Sequence, residues 1–161
     1  MGINKKVTGA RPFKAWPTES LVITQPFAAN PQNYAKWNFP GHEGIDIRAP
    51  YDSPYFAVLD GYVVRAGNKR SDGRESAYGY HVILDHGDGF TTLYAHARED
   101  LPVSEGDYVR AGDVVGYSGN TGNSSGPHLH LTVKEKGFVF PGWEKRPGYN
   151  DPMVYLKEIL E

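Results

Sequence analysis

Two histidines separated by one residue, in the segment Pro127-His128-Leu129-His130-Leu131, are the residues whose types and spacing most clearly suggest chemistry. In an extended strand, side chains at positions i and i+2 point to the same face. His128 and His130 would therefore lie side by side while the two leucines face the core. Two adjacent imidazoles suit a metal site, or a metal ligand beside a catalytic base.

A second set of polar residues lies in the segment Gly41-His42-Glu43-Gly44-Ile45-Asp46-Ile47. The glycines and the flanking prolines argue against a helix here. As a strand, the segment would place His42, Gly44 and Asp46 on one face, with the isoleucines in the core. We expect Gly44 to leave room between the two polar side chains for an ion.

A third strand, Leu93-Tyr94-Ala95-His96-Ala97, repeats the pattern and would place Tyr94 and His96 together on a polar face. If the three strands are neighbours, their polar faces merge into the floor of one groove. A lone histidine is more often a hydrogen-bonded structural residue, so we assign no chemistry to His81 and His86.

Composition limits the classes of protein that this chain can be. The 17 Lys and Arg residues are balanced by 19 Asp and Glu residues, which gives no basic stripe for nucleic acid. Because the chain has no cysteine, a bound metal must be held by nitrogen and oxygen ligands. Since the first residues contain no apolar stretch, we expect neither a signal peptide nor a membrane partner.

The elements that must position these residues are mostly short strands. The 19 glycines and 12 prolines favour strands and turns over long helices. We expect an irregular segment at residues 1–20 and a single domain at 21–161. Strands are predicted at 61–67, 81–85 and 90–96, the last two joined in a hairpin. One helix is predicted near the C-terminus, with Asp151 as N-cap and Pro152 at its first position.

Taken together, these motifs resemble the lysostaphin-type, LytM-like zinc endopeptidases of bacterial cell walls. The resemblance rests on His42-x-x-x-Asp46, on Leu93-Tyr94-Ala95-His96 and on residues 118–130, and it runs from about Leu21 to Leu156. It implies a mostly β fold: an antiparallel sheet with a small β-sandwich-like core of the duplicated hybrid motif type, long groove-forming loops and a short C-terminal helix.

The resemblance also implies a site. His42, Asp46 and His130 would bind one Zn²⁺ per chain and leave a fourth coordination position open, as in catalytic zinc sites. His96 and His128 would be the catalytic residues, which activate water and stabilise the oxyanion. Strand alternation explains why both His128 and His130 reach the groove, but the choice of His130 as the ligand follows from the resemblance alone.

The chain departs from the family pattern in several places. Ala28 stands where glycine is common, Tyr80 where asparagine is common, and Leu131-Thr132 where Phe-Glu is common. The segment from Phe27 to Tyr34 resembles phage-borne members, which favours a phage lysin or a virion-associated wall hydrolase.

The implied substrate is a peptide crossbridge or stem peptide of peptidoglycan, cut by a monomer acting at the cell wall, outside the cell or in the periplasm. Slender peptides suit a narrow groove, whose expected walls are residues 30–40, 68–78 and 139–149. We expect four aromatic residues either to line these walls or to anchor their own loops: Trp37, Tyr78, Trp143 and Tyr149.

Three alternatives compete with this interpretation. A degenerate family member could activate another hydrolase without cutting, although such members usually lose ligands. A metal-stabilised structural protein of a phage tail could bind the wall. The turns between Glu105 and Gly116 are typical of lipoyl-like modules, but their tips carry Tyr108 and Arg110 instead of a modifiable lysine.

Overall fold

Short antiparallel strands make up most of the regular structure in a computed structural model that describes residues 12–160. The strands are β1 (Ile23–Gln25), β2 (Ile45–Arg48), β3 (Pro54–Phe56), β4 (Gly61–Gly67), β5 (Tyr80–Asp85), β6 (Phe90–Ala97), β7 (Tyr108–Val109), β8 (Val114–Tyr117), β9 (His128–Glu135) and β10 (Tyr149–Asn150). The helix α1 spans Met153–Leu156, and 3₁₀ turns lie at Pro31–Asn33, Ala35–Trp37 and Lys157–Leu160.

The strands form one large sheet and one small one. The large sheet has the order β1-β2-β9-β6-β5-β4-β7, and β10 pairs with the second half of β9. Strands β3 and β8 form the small sheet. The predicted mostly β, antiparallel fold with a short C-terminal helix is therefore confirmed, and the strands predicted at 61–67, 81–85 and 90–96 are β4, β5 and β6.

The core lies between the two sheets. Tyr55 on β3 is completely buried, and its hydroxyl oxygen lies within hydrogen-bond distance of two backbone carbonyl oxygens, 3.1 Å from that of Ala95 and 3.0 Å from that of His128. Leu129 and Leu131 on β9 are also completely buried, as the alternation predicts. Burying side chains of this size contributes about 1.5–3 kcal/mol each, so β9 is held firmly at the centre of the sheet.

Both ends of the described chain pack onto the same core. Phe13 is buried and stacks on Tyr155 of α1, with ring centroids 5.1 Å apart. The carboxylate of Asp151 accepts a hydrogen bond from the Met153 backbone N–H at 3.0 Å. The helix begins at Met153 with Pro152 at its N-cap, one residue later than the predicted start with Asp151 as N-cap. Residues 12–20 form no strand or helix, and the rest of the predicted irregular segment, residues 1–11, lies outside the described residues.

Within the described part of the chain, no helix has the length and apolar character needed to cross a membrane.

Gly44 serves a different purpose from the one predicted. A Cβ atom at this position would lie 2.2 Å from the carbonyl oxygen of Leu131 on β9. The missing side chain therefore makes room for the backbone of the neighbouring strand, and the expectation that it makes room for an ion is wrong. Its role is to let β2 approach β9 at the point where the two strands carry their polar residues.

A Gly44→Ala substitution is expected to destabilise the protein by about 1–3 kcal/mol, because the added methyl group would push β2 away from β9. Gly67→Ala is the matched control, since a Cβ atom at that strand position meets nothing within 4 Å. Chemical denaturation of the three proteins measures the difference. Equal stability of the Gly44 variant and the wild type would contradict this account of the close approach.

Candidate metal centre and groove

The register of the central strands brings the predicted polar residues together. Asp46 on β2 pairs directly with His130 on β9, and His130 pairs with Ala95 on β6. Paired residues on adjacent strands have their side chains on the same face. Strands β2, β9 and β6 are therefore neighbours, and together they form one groove floor.

Three side chains converge at the centre of this floor. His42 Nε2 lies 3.1 Å from His130 Nδ1 and 3.2 Å from Asp46 Oδ1, and His130 Nδ1 lies 3.1 Å from the same oxygen. Both histidines are buried. Within the part of the chain described, these residues form a group that could hold a metal ion.

Each of the three side chains is oriented by a second contact. His42 Nδ1 donates to the carbonyl of Pro26 at 3.2 Å, which leaves Nε2 with its lone pair. Gln25 donates to Asp46 Oδ2 at 2.9 Å, so that Oδ1 is the oxygen facing the histidines. His130 Nε2 contacts the Thr132 hydroxyl at 2.7 Å. Such contacts fix the tautomer and direction of metal ligands.

The spacing of these atoms fits a tetrahedral ion. Corners of a tetrahedron with metal–ligand bonds of about 2.0–2.1 Å lie about 3.3–3.4 Å apart. The measured separations of 3.1–3.2 Å are close to this value. Two imidazoles and one carboxylate are also a donor set that zinc accepts, so the residues present fit the metal that the sequence predicted.

The charges of the cluster are coupled. Burial would raise the pKa of Asp46, but hydrogen bonds and charge from His130 and His42 outweigh burial and hold this pKa far below its usual range. Burial acts to lower the pKa of His130, and the nearby charges of Glu43 and Asp46 outweigh it, so that the pKa of His130 is raised. The site therefore carries an ionised carboxylate and attracts positive charge.

His96 reaches the groove by an unusual backbone conformation. Its φ angle is 61°, in the left-handed region, which costs a residue other than glycine about 1–3 kcal/mol. Its backbone N–H donates to the Tyr78 carbonyl at 2.8 Å, and its own carbonyl accepts from the Gly119 N–H at 3.0 Å. These bonds hold the strained residue so that its ring lies 5.0 Å from that of His128, measured between ring centroids.

The expectation that Tyr94 shares the face of His96 is wrong. Tyr94 pairs with Leu131, is 1% exposed, and bonds through its hydroxyl to the Val58 N–H and to Thr92. It therefore faces the core. Regular alternation would send His96 to the core as well, and the left-handed backbone turns His96 into the groove instead.

His96 and His128 differ from the metal cluster in their surroundings. His96 Nδ1 donates to the Thr121 carbonyl and His128 Nδ1 to the Gly126 carbonyl, each at 2.8 Å. Burial, together with the charge of His130, lowers the pKa of His96 to about 4. Near pH 7 His96 is thus neutral, with a lone pair on Nε2 that can accept a proton.

The groove is a cavity of about 540 Å³ above this floor. Residues 30–40 contribute Tyr34, Trp37 and Phe39 to its walls, and residues 68–78 contribute Arg70 and a stretch ending at Tyr78. A third wall comes from residues 123–125, which the sequence analysis did not include.

The expected wall at 139–149 is placed elsewhere. Trp143 is 2% exposed and stacks on Phe27 at 4.7 Å between ring centroids. Arg146 donates to the backbone carbonyl of Trp37 at 2.6 Å. This loop therefore braces the 30–40 wall from behind, and Trp143 and Tyr149 anchor loops while Trp37 and Tyr78 line the groove.

His81 and His86 lie outside the groove lining, as expected. His81 is buried, with Nδ1 bonded to the Gly79 carbonyl at 2.8 Å. His86 connects the Asp60 carbonyl to the Thr92 hydroxyl. Both have partners that account for their positions.

Sequence reasoning missed Glu43 and Gln25 as members of the site. Glu43 is 9% exposed, lines the groove and accepts a 2.8 Å hydrogen bond from the Tyr78 hydroxyl. A strand through residues 42–47 would turn the Glu43 side chain away from the face of His42 and Asp46, but β2 begins only at Ile45, so strand periodicity does not apply to Glu43. Gln25 stands in the segment Ile23-Thr24-Gln25-Pro26-Phe27, which also matches the lysostaphin-type resemblance, and that match was the available signal.

The fold and the site together define a metallopeptidase-like domain. Residues 40–141 match the sequence profile of peptidase family M23. The chain belongs to this family, and the lysostaphin-type resemblance found in the sequence is confirmed.

Two curated relatives differ in what their names state. The DD-carboxypeptidase/endopeptidase Mpg of Neisseria meningitidis serogroup B is 41% identical over 96 residues, which are 60% of this chain and 20% of that protein. The murein hydrolase activator NlpD of Escherichia coli K12 is 35% identical over 122 residues, 76% of this chain and 28% of that protein. The chain thus spans under a third of the length of these relatives.

Solved structures show the same architecture. A zinc-containing peptidase from Vibrio cholerae superposes with a TM-score of 0.67 and 25% identity, over 89% of this chain and 40% of that one. The antimicrobial peptidase lysostaphin from Staphylococcus simulans gives a TM-score of 0.64 and 26% identity, over 88% of this chain and 53% of that one.

Proposed function

We propose that this chain is a zinc-dependent endopeptidase that hydrolyses peptide bonds in crossbridges or stem peptides of peptidoglycan. The observation that carries the proposal is the tetrahedral spacing of His42, Asp46 and His130 beneath a groove that also contains His96 and His128. Relatives and neighbours with peptidase names support it. The site of action is the cell wall, outside the cell or in the periplasm.

The chain's residues divide the work of the reaction. His42, Asp46 and His130 would hold one Zn²⁺, which when bound supplies a Lewis acid that makes water acidic enough to ionise near neutral pH. His96, neutral at pH 7, accepts a proton from the attacking water through Nε2. The water oxygen first bonds to the carbonyl carbon, and the carbonyl oxygen becomes an oxyanion. The proton then passes from His96 to the leaving amine as the C–N bond breaks and the carbonyl re-forms.

His128 has the complementary role. Its Nδ1 is occupied by the Gly126 carbonyl, and its Nε2 lies 3.6 Å from Asp46 Oδ1. Nε2 is therefore the nitrogen left to meet the substrate. In its imidazolium form His128 would donate a hydrogen bond from Nε2 to the oxyanion that develops on the substrate carbonyl. His128 keeps 21% of its side chain exposed, which allows it to meet the substrate.

A second candidate function is activation of another wall hydrolase without cutting. The similarity to NlpD favours it, and the five site positions argue against it because a pure activator needs neither metal ligands nor a neutral histidine base.

Removing the metal distinguishes zinc-dependent hydrolysis from activation of another hydrolase. Chelator-treated protein is expected to release no new amino groups from peptidoglycan, and one equivalent of zinc is expected to restore the release, because the three ligands form one site. Amino-group labelling of the digest measures this. Release at an unchanged rate by protein shown to be metal-free would contradict the proposed role of zinc.

A further inference from the structure

Glu43 carries a buried carboxylate that lines the groove. The proposed reaction does not use this carboxylate. It is 9% exposed, and its Oε2 lies 2.8 Å from the Tyr78 hydroxyl and 3.9 Å from His130 Nε2. Burying a charge is costly unless partners compensate, so a carboxylate at this place has a physical effect on what surrounds it.

The two nitrogens of His130 face different neighbours. Nδ1 lies 3.1 Å from both Asp46 Oδ1 and His42 Nε2, whereas Nε2 lies 2.7 Å from the Thr132 hydroxyl and 3.9 Å from Glu43. A neutral imidazole carries one ring hydrogen, and only the other nitrogen can bind a metal.

Asp46 by itself would favour the wrong tautomer. A carboxylate attracts a hydrogen bond donor, so Asp46 draws the ring hydrogen of His130 to Nδ1, the nitrogen that points into the cluster. Thr132 does not decide the matter, because its hydroxyl can accept from Nε2–H or donate to a bare Nε2. Glu43 is the second carboxylate near the ring, and it lies on the opposite side.

We propose that Glu43 is a positioning residue whose carboxylate keeps the ring hydrogen of His130 on Nε2 and leaves Nδ1 free to bind the metal. This inference rests on the proposed zinc site. The Tyr78 hydroxyl holds the carboxylate in place, and the Tyr78 ring stacks on His130 with centroids 5.5 Å apart and planes at 26°. The pair Glu43 and Tyr78 thus fixes both the tautomer and the tilt of the ligand ring.

The test compares Glu43→Gln with Glu75→Gln. The first substitution removes the charge and keeps the size of the side chain. The control removes a negative charge from the same groove at an exposed position away from His130. In ¹⁵N-labelled metal-free protein, long-range imidazole spectra report the tautomer of His130. Competition with a chromophoric chelator reports the zinc dissociation constant of each protein.

At a pH where His130 is neutral, we expect the wild type and the Glu75 variant to hold a larger share of the Nε2–H tautomer than the Glu43 variant. The Glu43 variant should populate the Nδ1–H tautomer and bind zinc about 10–100-fold more weakly, the range typical of residues that orient metal ligands. An unchanged tautomer with a dissociation constant within about twofold of wild type would overturn the inference. If the Glu43 variant fails to fold, Tyr78→Phe, which keeps the ring and frees the carboxylate, should shift both readouts in the same direction.

The outcome is separable from that of the proposed function. A tautomer shift in the Glu43 variant supports the inference even where wild-type protein releases no amino groups from peptidoglycan, a result that would overturn only the hydrolase proposal.

Discussion

Replacing His130 with alanine is expected to abolish both tight zinc binding and hydrolysis of peptidoglycan. His130 supplies one of three ligand atoms and pairs with Asp46 across the β2–β9 register, so its loss leaves two ligands and an uncompensated carboxylate. We expect the zinc dissociation constant to rise by more than the 10–100-fold typical of changes outside the ligand shell.

Elemental analysis after dialysis and chelator competition measure the metal, and amino-group release measures the reaction. Thermal unfolding of the metal-free proteins shows whether the variant is folded. A His130 variant that is folded and keeps one tightly bound zinc would contradict the assignment of this residue as a ligand.

Replacing His96 or His128 with alanine is expected to abolish most of the activity and keep the metal. Proton transfer and oxyanion stabilisation by one side chain each contribute about 10²–10⁴-fold in rate, so kcat/KM should fall by that factor in either variant. Neither ring is part of the three-atom cluster, and zinc affinity should stay within a few-fold of wild type.

The decisive comparison is between His128→Ala and His130→Ala, which lie on the same strand two residues apart. The same metal and activity assays apply to both. If the His128 variant lost zinc while the His130 variant kept it, the two roles would be reversed.

The sequence predicted the faces of β9 correctly because that strand is regular. His128 and His130 reach the groove, and Leu129 and Leu131 are buried, as period-two alternation requires. It failed on β6, where the left-handed backbone of His96 interrupts alternation. That conformation depends on hydrogen bonds to Tyr78 and Gly119, which are distant in the chain, and no local pattern encodes it.

The contacts around the ligands were also beyond prediction from the sequence. Glu43 precedes β2, and its neighbours come from the 68–78 loop and from β9, so its place follows from tertiary packing alone. The same holds for the 139–149 loop, whose aromatic residues could equally have lined the groove. Composition predicts that such residues will be buried somewhere, but not against which partner.

Mass spectrometry of a peptidoglycan digest tests the central claim most directly. Purified protein, loaded with one equivalent of zinc and free of other hydrolases, is incubated with muropeptides of several chemotypes beside the His130→Ala variant. We expect the wild type alone to convert at least one chemotype into two fragments whose masses sum to the substrate plus one water, with a new amino group at a peptide bond. Intact muropeptides of every chemotype in the presence of folded, zinc-loaded protein would contradict the account.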